Sequence, residues 1–333
     1  MGLTGRIKEF LWDLVFPNRA VTYRRPFGVY NVELTNRCPF KCVMCPRTNN
    51  MTRETGLMDL SVYKKVIDEL IVVNPKFVAR KKPLWLQGFG ESLVHPEFDK
   101  FMSYGVEKGI NIGLSLNPLM MTEKVRRRII KASPLSLLIS LDGHDDESFF
   151  KVRGIKNAYE KSKDNLLRFF EMNKENGRKI KIDLHMIGFP LNNKSYEKMK
   201  NFWGNLDGID NFIHRNFSTW DGGANDVNSL VGRDVANEPA PTKRKVTCRK
   251  PWWQMTVQWD GSVSPCCLDY NNKLVLGNVK DQTLTEIWNG PRMKELRREF
   301  LSGMVTNPLC RTCDSLCKTG GRPEPAARRY TEA

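Results

Sequence analysis

The sequence predicts an α/β protein: a parallel sheet with crossover helices, followed by a small cysteine-rich α+β extension. Three observations carry that reading. From residue 28 to 218, short apolar runs alternate with amphipathic helical stretches, giving six strands and five intervening helices. Three cysteines, Cys38, Cys42 and Cys45, follow the first apolar run closely. Six more lie between Cys248 and Cys317, beyond a stretch rich in Gly, Asn, Pro and Lys/Arg.

The elements follow in order. Residues 1–27 form an N-terminal extension in which Ile7, Phe10, Leu11, Leu14 and Val15 recur at helical spacing until Phe16-Pro17 ends the run. Val29–Leu34 reads as the first strand, and Asp59 or Ser61 can cap a helix running to about Val73. Strands are expected at Pro83–Gln87, Ile110–Leu116, Leu135–Leu141, Lys179–Ile187 and Asn211–Phe217. Helices are expected at Pro96–Lys108, Thr122–Lys131, Ala158–Asn176 and Ser195–Trp203. Residues 219–247 read as a linker, 248–318 as the cysteine-rich domain and 319–333 as a flexible tail. Within that domain Met255–Trp259 and Ser262–Ser264, joined by Asp260-Gly261, make a hairpin, and Pro291–Leu301 a basic helix.

Grouped cysteines, an odd total of nine and no secretion-signal pattern point to metal ligands in a reducing cytoplasm rather than disulfides. No apolar run approaches the roughly 20 residues that span a bilayer, so integral membrane association is not expected. The net charge of +16 permits an anionic partner, but its basic residues are dispersed and no nucleic-acid-binding motif accompanies them. A solvated basic surface is the reading that follows. Three thiols on one loop, with His95 the nearest histidine, suit an iron–sulfur cluster with one open iron better than a closed zinc site.

The run Cys38-Pro39-Phe40-Lys41-Cys42-Val43-Met44-Cys45 resembles the radical S-adenosylmethionine (SAM) superfamily. That resemblance implies a partial (β/α)6 TIM-type barrel over residues 28–218. It also implies a [4Fe–4S] cluster whose open iron binds SAM and cleaves it to a 5′-deoxyadenosyl radical. Met44 stands where many members place an aromatic adenine contact. Gln87-Gly88-Phe89-Gly90-Glu91-Ser92 is similar to the family's GGEP motif, making Glu91, just after Gly88 and Gly90 that let the backbone come close, the expected partner of the SAM ammonium. Ser140-Leu141-Asp142-Gly143 with Arg153 looks like the family's SLDG…R pattern, so Ser140 and Arg153 are expected at the SAM carboxylate. Ser115 and Asn117 are expected to contact the ribose or carboxylate, and Ile187 the adenine. His185, His214 and Arg215, near later strand ends, are expected to face substrate, with His214 or Arg215 taking a hydroxyl proton.

The second cysteine set, with its C-x12-G-x4-C spacing, GNV segment and following Ile287-Trp288, resembles the twitch/SPASM extension of such enzymes. Its six cysteines are too few for two clusters each bound by four thiolates. One auxiliary [4Fe–4S] cluster on Cys248, Cys266, Cys310 and Cys313 is therefore expected, leaving Cys267 and Cys317 for hydrogen-atom return or for nothing chemical, with Cys317 also open as a replacement for one of the four ligands. The resemblance implies a radical SAM oxidoreductase acting on a small polar substrate, a sugar or aminocyclitol, by oxidation or epimerisation. It also implies a flavodoxin- or ferredoxin-type electron donor. The alternatives are a peptide- or protein-modifying SPASM maturase and a non-catalytic zinc protein that binds nucleic acid.

Overall fold

The computed structural model describes residues 21–22, 26–78, 82–234, 248–313 and 316. The helix expected over residues 6–16, the end of the linker, Cys317 and the tail lie outside them. In chain order the elements are β1 (Gly28–Val32), α1 (Leu60–Val73), β2 (Leu84–Leu86), α2 (Phe98–Glu107), β3 (Ile112–Leu116), α3 (Glu123–Ala132), β4 (Ser136–Ser140), α4 (Asp146–Arg153) and α5 (Tyr159–Glu175). Then come β5 (Lys181–Gly188), α6 (Tyr196–Trp203), β6 (Asn211–Asn216), α7 (Asn225–Ser229), β7 (Gln254–Val257), β8 (Ser262–Ser264), β9 (Gly277–Asn278), α8 (Leu284–Trp288) and α9 (Pro291–Ser302).

β1 to β6 pair in sequence order, all parallel, each joined to the next by a crossover connection. Their apolar positions, among them Leu84, Leu114, Ile139, Leu184 and Met186, are fully buried on one face. Amphipathic helices cover that face; α1, for example, buries Val62, Tyr63, Val66, Ile67 and Leu70 at helical spacing. This is the α/β barrel sheet that the alternating pattern predicts.

Three features depart from expectation. The sheet does not stop at β1: it has nine strands in the order β6-β5-β4-β3-β2-β1-β7-β8-β9. The hairpin of the cysteine-rich domain thus joins the barrel edge, with β7 parallel to β1 from Gly28↔Gln254 to Val32↔Val257. An edge strand presents unpaired backbone groups, and β7 satisfies them. Second, α4 was not foreseen. Its eight residues bury only Phe149 and Val152, too few to show a period, but Asp145 and Ser148 form a capping box and Gly154, at φ +72°, ends it. Third, residues 219–234, part of the expected linker, are packed structure. They carry α7 and bury Asp221, Ala224, Val227 and Asn228, because their polar side chains bond inward rather than to water.

One buried ion pair joins these parts. Arg53 donates to both Glu33 oxygens, at 2.7 and 2.6 Å, and through Nε to the Tyr270 carbonyl at 2.8 Å. Glu33 Oε1 also accepts from the Phe89 amide at 2.8 Å. The pair's side chains are 9% and 1% exposed, so removing one partner strands a charge. Arg53→Met should lower stability by about 3–5 kcal/mol in urea denaturation. Adding Glu33→Gln should recover part of that loss. An unchanged midpoint for the single variant would show that the pair does not contribute.

Candidate active site

The cysteine loop is fastened mainly by backbone bonds. Lys41 and Val43 donate to the carbonyls of Arg153 and Val152 at the end of α4, at 3.1 and 3.0 Å. Cys45 N donates to Cys42 O at 3.1 Å, and the Thr48 hydroxyl to the same carbonyl at 2.9 Å. Cys42 is buried, Cys38 and Cys45 partly so. Burial pushes the Cys38 thiol up to about 11 and Cys45 up to about 12, and each feels the charge of Cys42. Thiols so placed need a cation or a metal to ionise, which a cluster iron supplies. Arg153 Nη1 donates to Cys42 Sγ at 3.5 Å.

The turn after β2 is pressed against this loop. A Cβ on Gly88 would lie 2.3 Å from the Glu33 side chain, and one on Gly90 2.1 Å from the Thr35 carbonyl oxygen, so both positions admit only glycine. That close approach sets Glu91 beside Cys38, whose thiol its charge raises. Glu91 accepts from Leu93 N at 3.2 Å and Asn117 N at 2.8 Å. Burial nevertheless outweighs those bonds and raises its carboxyl to about 7.

The residues expected to hold SAM are brought together, though some are already engaged. The Asn117 side chain accepts from Leu119 N and donates to Ser140 O, at 3.0 and 3.2 Å, so its amide serves the turn it caps. Arg153 pairs with Asp142, and its Nε, buried, has no partner among the described residues. Met44 packs in the core, and its carbonyl accepts from Trp220 Nε1 at 2.9 Å. Trp220 lies 5.2 Å from Phe89 between ring centroids, so an aromatic ring reaches this place from the far side of β6. No local pattern in the sequence announced it.

Strand register assigns the barrel interior. Ser115 pairs with Leu138, Ser140 with His185, His185 with Ile213 and Ile187 with Arg215, so these side chains share the face opposite the buried apolar one. His214, one residue from Arg215, therefore lies on the helix side. Its ring sits 4.4 Å from Tyr196 of α6, and a Cβ on Gly188 would touch its Nε2. The expected role for His214 at the substrate is corrected accordingly: strand alternation turns it away. His185 is buried with Nε2 unpartnered among the described residues, and burial, reinforced by Arg215, lowers its pKa to about 3. Tyr30, unremarked in the sequence, is raised to about 12 by burial and then by Cys267, with Lys250 and Arg215 opposing.

Cys248, Cys266, Cys310 and Cys313 line a single pocket with apolar walls that include Leu296, Phe300 and Leu309. Cys267 does not line it. Four thiols around a cavity suit a polynuclear cluster. Cys267 and Lys250 beside it hold the Cys266 thiol below its usual range, while Cys266 and burial hold Cys267 above its own.

The Glu91 carboxyl gives a pH signature. Its folded value, about 7, lies above the unfolded 4.5, so it contributes stability at low pH that is lost as pH rises through that window. Without added SAM, the wild type should lose a few kcal/mol relative to Glu91→Gln across it, at about 1.4 kcal/mol per unit. Parallel stability curves for the two proteins would remove the burial argument.

Two family models match the chain: the radical SAM superfamily over residues 32–202 and the SPASM iron–sulfur cluster-binding domain over residues 248–314. The chain is 22% identical over 293 residues to an S-adenosyl-L-methionine-dependent 2-deoxy-scyllo-inosamine dehydrogenase of Niallia circulans, covering 87% of this chain and 94% of that one. It is also 22% identical to a tungsten-containing aldehyde ferredoxin oxidoreductase cofactor-modifying protein of Pyrococcus furiosus, covering 85% and 86%. In fold it is similar to BtrN in complex with AdoMet and 2-DOIA, with TM-score 0.55, 18% identity and coverage of 86% and 93%. Streptococcus suis SuiB bound to precursor peptide SuiA gives TM-score 0.64 at 12% identity, covering 95% and 81%. A barrel sheet with three thiols at its first loop, continued into a cluster-binding extension, agrees with both models, and the chain belongs to the radical SAM superfamily.

Proposed function

We propose that this radical SAM enzyme oxidises or epimerises a small polyhydroxylated substrate, a sugar or aminocyclitol, in the barrel interior. Cys38, Cys42 and Cys45 would hold the SAM-binding cluster. Cys248, Cys266, Cys310 and Cys313 would hold one auxiliary [4Fe–4S] cluster. The observation that carries the reading is the set of polar groups on the interior face, where Ser115, Ser140, His185 and Arg215 stand among Leu138, Ile187 and Ile213. Hydroxyl, imidazole and guanidinium groups there match hydroxyls and amines better than apolar peptide side chains. When bound, the SAM-binding cluster with SAM supplies a 5′-deoxyadenosyl radical that takes a hydrogen atom, and the auxiliary cluster supplies an acceptor for the second electron.

The chain's own residues do the rest. Glu91 presents a carboxylate to the SAM ammonium, and Ser140 and the free Nε of Arg153 face its carboxylate. Ile187 lies against the adenine. His185, kept neutral by burial, offers Nε2 as a hydrogen-bond partner for a substrate hydroxyl, and Arg215 on the same face holds a substrate oxygen. A flavodoxin- or ferredoxin-type protein delivers the first electron. In an epimerase Cys267, which lies off the cluster pocket and beside Tyr30, would return the hydrogen atom.

Anaerobically reconstituted protein should bind about eight irons, and replacing Cys38, Cys42 and Cys45 by Ala should leave about four and abolish dithionite-driven 5′-deoxyadenosine formation. Deoxyadenosine from the triple variant would overturn the assignment of that loop. With SAM and dithionite, 2-deoxy-scyllo-inosamine and related aminocyclitols should raise deoxyadenosine formation above the substrate-free rate. Stimulation by peptides alone would transfer the chain to the peptide-modifying reading. Once a substrate responds, product made in D2O separates the two chemistries. Carbon-bound deuterium that disappears in Cys267→Ala indicates epimerisation, and a carbonyl product with unchanged turnover in that variant indicates oxidation.

A further inference from the structure

Lys250 opens the 3-10 turn Lys250–Trp252 just ahead of β7, and its ammonium has no carboxylate partner among the described residues. Instead Nζ lies 3.1 Å from Cys266 Sγ and 3.9 Å from Cys267 Sγ. Lys250 itself lines the pocket shared by the four thiols. A lysine ordinarily reaches for water or an acid, because removing its charge from water is costly without a counter-charge. Here the sulfurs of Cys266 and Cys267 take that place.

The mount is rigid. Pro251 O accepts from the buried Arg297 Nε at 2.8 Å, Trp253 N donates to Lys250 O at 3.0 Å, and Gly28 N of β1 donates to Trp253 O at 2.9 Å. The turn that carries Lys250 is thereby fixed both to α9 and to the first barrel strand.

We propose that Lys250 is a positioning residue that raises the reduction potential of the auxiliary cluster by holding a fixed positive charge and an N–H donor against its Cys266 ligand. This rests on the ligand set proposed above. A cluster with four thiolate ligands becomes more negative when it accepts an electron. A cation beside one sulfur therefore stabilises the reduced form more than the oxidised form. The effect favours passage of an electron from a substrate radical into this cluster, without Lys250 touching substrate.

Potentiometric titration of the reconstituted full chain, followed by electron paramagnetic resonance, reads this directly. Lys250→Met should shift the reduction equilibrium of the auxiliary cluster at least tenfold toward the oxidised form, a fall of about 59 mV for a one-electron couple. Lys250→Arg, which keeps charge and donor, should stay near the wild type. The SAM-binding cluster should keep its midpoint in both variants. If Lys250→Met loses auxiliary iron, Lys250→Gln, which keeps a donor but not the charge, takes its place and should show a fall in the same direction. A neutral variant with full iron and an unshifted auxiliary midpoint overturns the proposal. Wild-type protein with only about four irons would instead sink the ligand set on which it rests.

Discussion

The bidentate contact of Arg53 with Glu33 is the constraint on which both halves of this site depend. Glu33 follows β1 directly, where the barrel sheet opens toward its C-terminal rim. Its carboxylate takes two bonds from Arg53 and one from the Phe89 amide, so the strand end and the Gly88–Glu91 turn share one acceptor. Arg53 in turn reaches Tyr270, in the cysteine-rich domain. A buried ion pair adds little net stability compared with apolar packing, but it tolerates few geometries. What it supplies here is position: the turn, the cysteine loop and the second domain are referred to one carboxylate.

Parallel sheets covered on both sides usually read as continuous apolar runs. These strands do not. Leu84, Leu114, Ile139, Leu184 and Met186 face the helices, while Ser115, Ser140, His185 and Arg215 face the other way. An interior lined this way cannot close on itself as a dry core without stranding hydrogen-bonding groups. Among the described residues, Nε2 of His185 and Nε of Arg153 are buried without a hydrogen-bond partner.

Two connections hold the cysteine sets in fixed relation. One is the pairing of β7 with β1, which makes the second domain an extension of the barrel sheet. The other is the packed segment 219–234. Asp226 accepts from Asn49 and Asn50, close after the first cysteine set, at 2.8 and 2.7 Å. On its other side Asp221 O accepts from Thr312, between Cys310 and Cys313, at 2.7 Å, and the Asp221 side chain pairs with Lys273. Electron transfer between two centres depends on their separation, and this strap with the continuous sheet leaves little freedom in it.

The sequence by itself determined the repeating strand–helix order, the cysteine loop after β1, the glycine turn bearing Glu91, and the hairpin at Asp260-Gly261. Each depends on local chemistry: apolar period, turn residues, and ligand spacing within a few positions. It showed the three thiols of the first loop for the same reason. Only the tertiary structure decided that β7 joins β1, that residues 219–234 are packed, and that Arg215 faces the interior while His214 does not. It alone brought Lys250 to Cys266, Trp220 to Met44 and Arg53 to Glu33. Those pairs are 16, 176 and 20 residues apart, and a single lysine or tryptophan carries no periodic signal of its partner. Side-chain facing depends on strand register, and register is set by the neighbours that the folded sheet supplies.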